Sequence, residues 1–329
     1  MTDPSRRMFC FRLLPAALLA LAAPAGAAAD GFPVTVTHAL GQTTIAGRPQ
    51  RIVSLGYNDH DFLYALDIPP VGVTEWWGGQ PYATWPWAEP QRLATGAAPN
   101  VTRGSIDLEW VLVQNPDLIV ATYRDLDEKS YRQLSRIAPV IARPSGFPAW
   151  SAPWETQLRL LDMAASGSNT KADAIIAALD ARFAAIRARY PQFAGRSASM
   201  ADMREGQFTL WGRETGPTRF LARLGFMLPD ALNIRADPSG WIYLSFEQTA
   251  LIDLDVVLWP NGQRDEIEAM PVYRNLRLFR DGRSVWPAAN GAALSAALWF
   301  QTPLSIDFAL EQLAPRLAAA LDGDPTTSE

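Results

Sequence analysis

Between residues 51 and 142 short apolar runs alternate with stretches of helical period. Ile52–Leu55, Val71–Thr74, Leu118–Thr122 and Val140–Ala142 are each bounded by turn residues and separated by amphipathic segments. Uninterrupted apolar runs of this length predict strands buried on both faces, and their alternation with helices predicts βα units on a parallel sheet. The rhythm breaks over residues 144–153, where Pro144, Gly146, Pro148 and Pro153 cluster, and a domain boundary is expected there.

Beyond it, Thr170 followed by Asp173 predicts a capping-box-like helix start. Ala172, Ile175, Ile176, Leu179, Phe183 and Ile186 then mark one face, and Pro191 ends the helix. A helix of about 20 residues is ~30 Å long, enough to run from one lobe to another; an ordinary helix packed within one lobe is the other reading. Alternation resumes at Ser197, with strands expected at Ser197–Met203 and Val256–Trp259 and helices near Pro217–Leu224 and Pro303–Leu321. The expected division is therefore a leader over residues 1–29, a first α/β lobe over 30–150, a linking helical segment over 151–192 and a second α/β lobe over 193–329.

A faint internal repeat supports two related lobes. Ile106-Asp107-Leu108-Glu109 leads, eight residues after Glu109, to Asp117 and the apolar run Leu118–Val120; Leu244-Ser245-Phe246-Glu247 leads at the same distance to Asp255 and Val256–Leu258. Glutamate is favoured in the first turn of any helix, so chance resemblance of two helix–strand units is the competing explanation.

Composition narrows the class. The 329 residues are 48% hydrophobic and 19% charged, which excludes disorder, collagen and coiled coil. Residues 1–29 have a basic start (Arg6, Arg7, Arg12), an apolar run Leu13–Ala23 and small residues at Ala27–Ala29, the anatomy of a secretory signal. Ser5-Arg6-Arg7-Met8-Phe9 is similar to a twin-arginine export signal, with Phe11 where Lys is usual. Removing this segment takes the formal charge from −5 to −7, an acidic balance that argues against a nucleic-acid partner. Cys10, the only cysteine, lies inside the leader, so a mature chain beginning near Asp30 is expected to carry no disulfide, thiol chemistry or cysteine-linked lipid. No later apolar run reaches the ~18 residues of a membrane span. Export without these features points to the periplasm of a Gram-negative bacterium.

Candidate chemistry lies in aromatic and guanidinium groups. Trp76, Trp77, Tyr82, Trp85 and Trp87 fall among Gly78, Gly79, Pro81 and Pro86, just after the Val71–Thr74 run. Loops after the carboxyl ends of strands form the ligand crevice of an open α/β sheet; a satellite hydrophobic cluster is the alternative. Tyr57 and Tyr123 are further aromatic candidates in the first half. In the second half, Arg204, Trp211 and Arg213 surround an extended Gln207–Trp211, while Trp241 and Tyr243 precede Glu247. Rings supply contact area and arginine supplies directed bonds to oxygen, a combination suited to a large, partly planar, partly anionic ligand, to which Arg103 is a further contributor.

Catalytic motifs are lacking: the two histidines are His38 and His60, and there is no H-E-x-x-H, G-x-S-x-G or phosphate loop. Asp59, His60 and Asp61 are adjacent, so on a helix they point in different directions and make a poor metal site.

In order and spacing the chain resembles the iron-siderophore substrate-binding proteins of ABC importers, a group that also carries vitamin B12 and haem. The resemblance rests on Arg48–Gly56 (RPQRIVSLG), Leu66–Val73 (LDIPPVGV), Asp107-Leu108-Glu109 with Asn115–Ile119 (NPDLI), and Leu134–Val140 (LSRIAPV). It implies two Rossmann-like α/β lobes joined by a single long helix, with a ligand held in the cleft between them and little hinge closure. It also implies that Glu109 and Glu247 meet arginines of the inner-membrane permease. Arg103 matches a pocket arginine of hydroxamate binders, Trp241 matches a pocket tryptophan of the second lobe, and Tyr57 lies in the cleft-lining first strand–helix turn.

The resulting expectation is a monomeric periplasmic protein that takes a ferric siderophore to an ABC permease. It needs no cofactor and no metal ligand of its own, because the siderophore wraps the iron. Candidate ligand contacts are Tyr57, Trp76, Trp85, Trp87, Arg103, Tyr123, Arg204, Trp211, Arg213, Trp241 and Tyr243. A haem or cobalamin carrier on the same fold, with Tyr57 or His60 as iron ligand, and a periplasmic enzyme acting on the chelate are the alternatives.

Overall fold

The computed structural model describes residues 31–290 and 292–327; the leader and Cys10 lie outside them. A hairpin of β1 (Val34–His38) and β2 (Gly41–Ile45) precedes two five-stranded sheets. The first sheet contains β3 (Ile52–Ser54), β4 (Gly72–Glu75), β5 (Asn100–Arg103), β6 (Leu118–Ala121) and β7 (Val140–Ala142), in the order β5-β4-β3-β6-β7 and parallel throughout. Strands β3, β6 and β7 are buried at every position, as a sheet covered on both faces requires.

The second sheet repeats that order with β8 (Ala198–Arg204), β9 (Gln207–Trp211), β10 (Trp241–Ser245), β11 (Val256–Leu258) and β12 (Ser284–Val285), arranged β10-β9-β8-β11-β12. It is mixed, not fully parallel: β9 runs antiparallel to both neighbours. The reversal is local. A tight turn at Glu205 and Gly206, with φ of 49° and 76°, replaces the crossover that joins β3 to β4. In both lobes the glutamate-bearing turn falls between the third and fourth strands. Asp117 accepts hydrogen bonds from the Gln50 and Arg51 amides before β3, and Asp255 accepts from the amide and hydroxyl of Ser197 before β8. The repeated acidic residues thus tie down the start of each lobe's central strand.

The segment between the sheets contains two helices. Trp154–Ser166 packs against β1 and the helix Asp59–Ala65, and so belongs with the first lobe; Thr170–Arg189 is the bridge. At one end of the bridge, Lys171 pairs with Asp67 and Asp173 with Arg159. At the other, Arg182 pairs with Asp307, Arg187 donates to the Arg223 carbonyl, and Phe183 meets Phe220 edge-on at 5.7 Å. Its start differs from the expected capping box. Asn169 occupies the cap without a side-chain bond, and Asp162 of the preceding helix accepts from the Ala172 amide at 2.8 Å. A neighbouring carboxylate thereby satisfies an amide that a local cap otherwise serves.

The lobes share one apolar core, which runs from Leu63 through Leu158 and Leu179 to Phe220 and Leu310. The helix Pro303–Ala320 belongs by sequence to the second half, yet packs on both the bridge and the helix Asp59–Ala65.

Candidate functional site

A cavity of about 750 Å³ opens between the lobes, within the size range of small-molecule and chelate sites. The first lobe supplies Trp76 and Trp77 after β4, Tyr123 after β6, and residues 148–152 after β7. These lie beyond the carboxyl ends of parallel strands, where sheet topology leaves a crevice. The second lobe supplies Arg204, Trp211, Trp241, Asn261 and Trp299, together with Arg219 from the helix Gly216–Leu224.

On the first-lobe wall Tyr123 meets Trp76 edge-on at 5.6 Å and Trp150 at 5.0 Å. Its position is set from below by Asp59, fully buried at the start of its helix. The Asp59 carboxylate accepts from the Thr122 amide at 2.7 Å, the Thr122 hydroxyl at 2.6 Å and the Tyr123 amide at 3.1 Å. Burial pushes the Tyr123 phenol up to about 12, partly offset by Arg219. At neutral pH it is therefore a hydroxyl donor and not a phenolate.

On the opposite wall Trp211 and Trp241 are register partners across β9 and β10, with ring centres 5.5 Å apart, and Trp299 meets Trp211 edge-on at 4.9 Å. The Arg204 guanidinium lies 5.6 Å from the Trp241 ring centre and is paired with the buried carboxylate of Asp202. Arg219 donates to the carbonyls of Glu214 and Ser151, the latter at 2.7 Å, so it joins the second lobe to the loop after β7.

Of the sequence candidates, the structure brings Trp76, Tyr123, Arg204, Trp211 and Trp241 to the cavity wall. Tyr57 stands behind it, stacked on Trp76 and Trp150 with the Arg124 guanidinium 4.8 Å from its ring centre. Trp85 and Trp87 are core residues: they stack on each other at 5.3 Å and are 2% and 7% exposed. Gly78 permits this packing, since a Cβ there would lie 2.4 Å from the Trp85 ring, and its φ of 104° suits glycine. Arg103 is drawn away by its register partner Glu75, with which it forms an ion pair at the ends of β4 and β5. Arg213 turns to the Leu228 carbonyl and Asp230. Tyr243 stacks beside Trp241 but faces solvent outside the cavity.

Asp59, His60 and Asp61 diverge to Thr122 and Tyr123, to the Ala83 carbonyl, and to Trp87 and Thr302, respectively. They form no shared metal cradle. His60 is fully buried and Tyr57 is screened by two tryptophans, so neither is placed to ligate a haem iron in the cavity.

Trp150, Trp299 and Arg219 also line the cavity although sequence reasoning did not select them. Trp150 lies in the proline cluster, whose composition signals a domain boundary and not a ligand contact. Trp299 ends an apolar helix, Ala292–Phe300, whose composition marks no functional face. Arg219 is one of two arginines on the helix Gly216–Leu224, whose pattern gives no sign of which of them faces a ligand.

Glu109 and Glu247 are both exposed in the first turns of equivalent helical segments. Asp107 caps the former by accepting from the Glu109 and Trp110 amides, and a Ser245–Gln248 capping box starts the latter. Neither glutamate forms an ion pair among the described residues.

This architecture has known counterparts. A periplasmic solute binding protein from Mycobacterium smegmatis aligns with a TM-score of 0.77 at 34% identity, over 88% of this chain and 98% of the other. PiaA of Streptococcus pneumoniae in complex with ferrichrome shares the fold at a TM-score of 0.77 and 23% identity, over 88% and 99% of the two chains. The probable siderophore-binding lipoprotein YfiY of Bacillus subtilis is 25% identical over 279 residues, which are 78% of this chain and 82% of the relative. Residues 52–282, from the first buried strand to the turn before β12, match the periplasmic binding protein family model, and the chain, with its paired sheets and bridging helix, belongs to that family.

Proposed function

We propose that this protein captures a ferric siderophore in the periplasm and delivers it to an ABC permease. The observation that carries this reading is the interlobe cavity, walled by the seven rings of Trp76, Trp77, Tyr123, Trp150, Trp211, Trp241 and Trp299 and flanked by Arg204 and Arg219. Rings complement the broad organic shell of a chelate, while guanidinium groups bond its peripheral oxygens. The cycle makes and breaks no bond in the protein. In this reading the siderophore's own oxygens fill the coordination of the iron; a lining that, among the described residues, contains no histidine, cysteine or carboxylate, and whose one phenol, Tyr123, stays protonated, supports it. One chain supplies the whole cavity, and it acts as a monomer. This reading includes a periplasmic location, reached by export through the leader expected over residues 1–29.

Titration of intrinsic tryptophan fluorescence with ferric siderophores is the direct test: saturable quenching is expected. Trp241→Ala should weaken binding by roughly 30-fold, the loss of one large ring face in a desolvated site. Unchanged affinity in that variant, with the fold intact by circular dichroism, would remove Trp241 from the site.

Glu109 and Glu247 supply permease contacts in this reading, supported by their exposure and equivalent placement on the two lobes. Exposed charges steer docking and fix register more than they add affinity. The double variant Glu109→Ala/Glu247→Ala is expected to keep ligand affinity within about twofold while cutting uptake of radiolabelled ferric siderophore in cells. Full uptake would show that docking uses another surface.

A further inference from the structure

The charge inventory of the cavity carries the functional reading further, to the class of chelate, and this step rests on that reading. The only charged side chains on the wall, among the described residues, are Arg204 and Arg219. They are not equivalent. Arg204 is paired with Asp202, which is 2% exposed and also accepts from Asn261 at 2.6 Å. That fixed carboxylate offsets the Arg204 charge while leaving the other guanidinium donors free for a ligand's neutral oxygens. Among the described residues Arg219 forms no ion pair; its hydrogen bonds go to two backbone carbonyls, and Glu155 and Glu214 act on it only from a distance. The wall therefore offers at most one positive charge without a directly paired carboxylate.

Ser151, Gln157, Thr215, Ser239, Asn261 and Gln301 add neutral polar groups, but most of the remaining wall is aromatic and gives an anion little. The seven rings present apolar area, and aromatic faces carry the negative part of the quadrupole, which favours cations and repels anionic oxygens laid flat upon them. A polyanion entering this cavity loses hydration that one guanidinium cannot replace, and uncompensated desolvation of charge is costly. A chelate whose ligand charges cancel those of iron loses little hydration and gains ring contact. Its peripheral carbonyls or a single carboxylate can take the Arg219 donors.

We propose that this cavity selects ferric chelates of zero or one net negative charge, of the hydroxamate kind, and discriminates against polyanionic catecholate and citrate complexes.

Fluorescence titration of the full chain with ferrichrome, a neutral ferric trihydroxamate, with a trianionic ferric tricatecholate and with ferric citrate tests this directly. Ferrichrome is expected to bind at least about 100-fold more tightly than either anionic complex, and its affinity should change by less than about twofold from about 50 to about 500 mM salt. Asp202→Asn, which frees the Arg204 charge in the same shape, should move the tricatecholate-to-ferrichrome affinity ratio toward the anion by about tenfold. Tighter binding of the tricatecholate than of ferrichrome by the wild-type protein would overturn the charge assignment and leave the siderophore reading standing. Absence of quenching by all three complexes would overturn the siderophore reading itself. The salt titration needs no variant, so a strong salt dependence of ferrichrome binding overturns the assignment even if Asp202→Asn does not fold.

Discussion

Asp61→Ala is expected to lower the folding stability by about 3–5 kcal/mol, among the largest losses available to one substitution in this chain. Asp61 is fully buried where the lobes meet. One of its oxygens accepts from the Trp87 indole at 2.7 Å and from the Thr302 hydroxyl at 3.0 Å. Thr302 caps the helix Pro303–Ala320, and the adjacent Asn58 donates to the Phe300 carbonyl at 2.7 Å. Burial pushes the Asp61 carboxyl pKa up, while His60 and the two donors hold it down. Alanine leaves an indole N–H and a hydroxyl without an acceptor in a dry interface. Asp61→Asn keeps the shape and one acceptor and should lose about 1 kcal/mol. Chemical denaturation of both variants measures the difference; a loss below about 1 kcal/mol for Asp61→Ala would mean that this node does not hold the lobes together.

Trp85→Ala should cost about 4 kcal/mol, the range for truncating a large buried aromatic side chain, while altering ligand affinity far less than Trp241→Ala. Trp85 lies against Trp87, meets Trp77 edge-on at 4.9 Å and approaches Phe300 at 6.1 Å. Of these four rings only Trp77 lines the cavity, so loss of Trp85 acts on the ligand through one displaced ring. Thermal denaturation and fluorescence titration of the same preparation separate the two effects. A stable Trp85→Ala protein with abolished binding would return Trp85 to the cleft and contradict the packing described above.

The sequence made the architecture readable because its strands are short, apolar and evenly spaced. The repeat around Glu109 and Glu247 reflected a real equivalence of strand order. The reversal of β9 was hidden, since Glu205-Gly206 signals a hairpin only once both flanking runs are known to pair. In the site, Trp76, Trp211 and Trp241 were legible as rings at strand ends. Trp85 and Trp87 shared that signal and went to the core, because spacing within a loop does not tell which ring turns inward. Arg103 was misplaced for want of register: nothing in the order of residues says that Glu75 lies beside it across β4 and β5. Trp150 and Trp299 reach the cavity from a proline-rich loop and an all-apolar helix, neither of which has a periodicity that points to a ligand.

The bridging helix Thr170–Arg189 is clamped at one end by Asp67 and Arg159 and at the other by Asp307 and the Arg223 carbonyl. In the proposed cycle such a brace would keep small the free energy spent on reshaping when cargo arrives. Loading would then be governed by how often cargo and mouth collide, and unloading would fall to whatever machine grips the two halves and strains the brace.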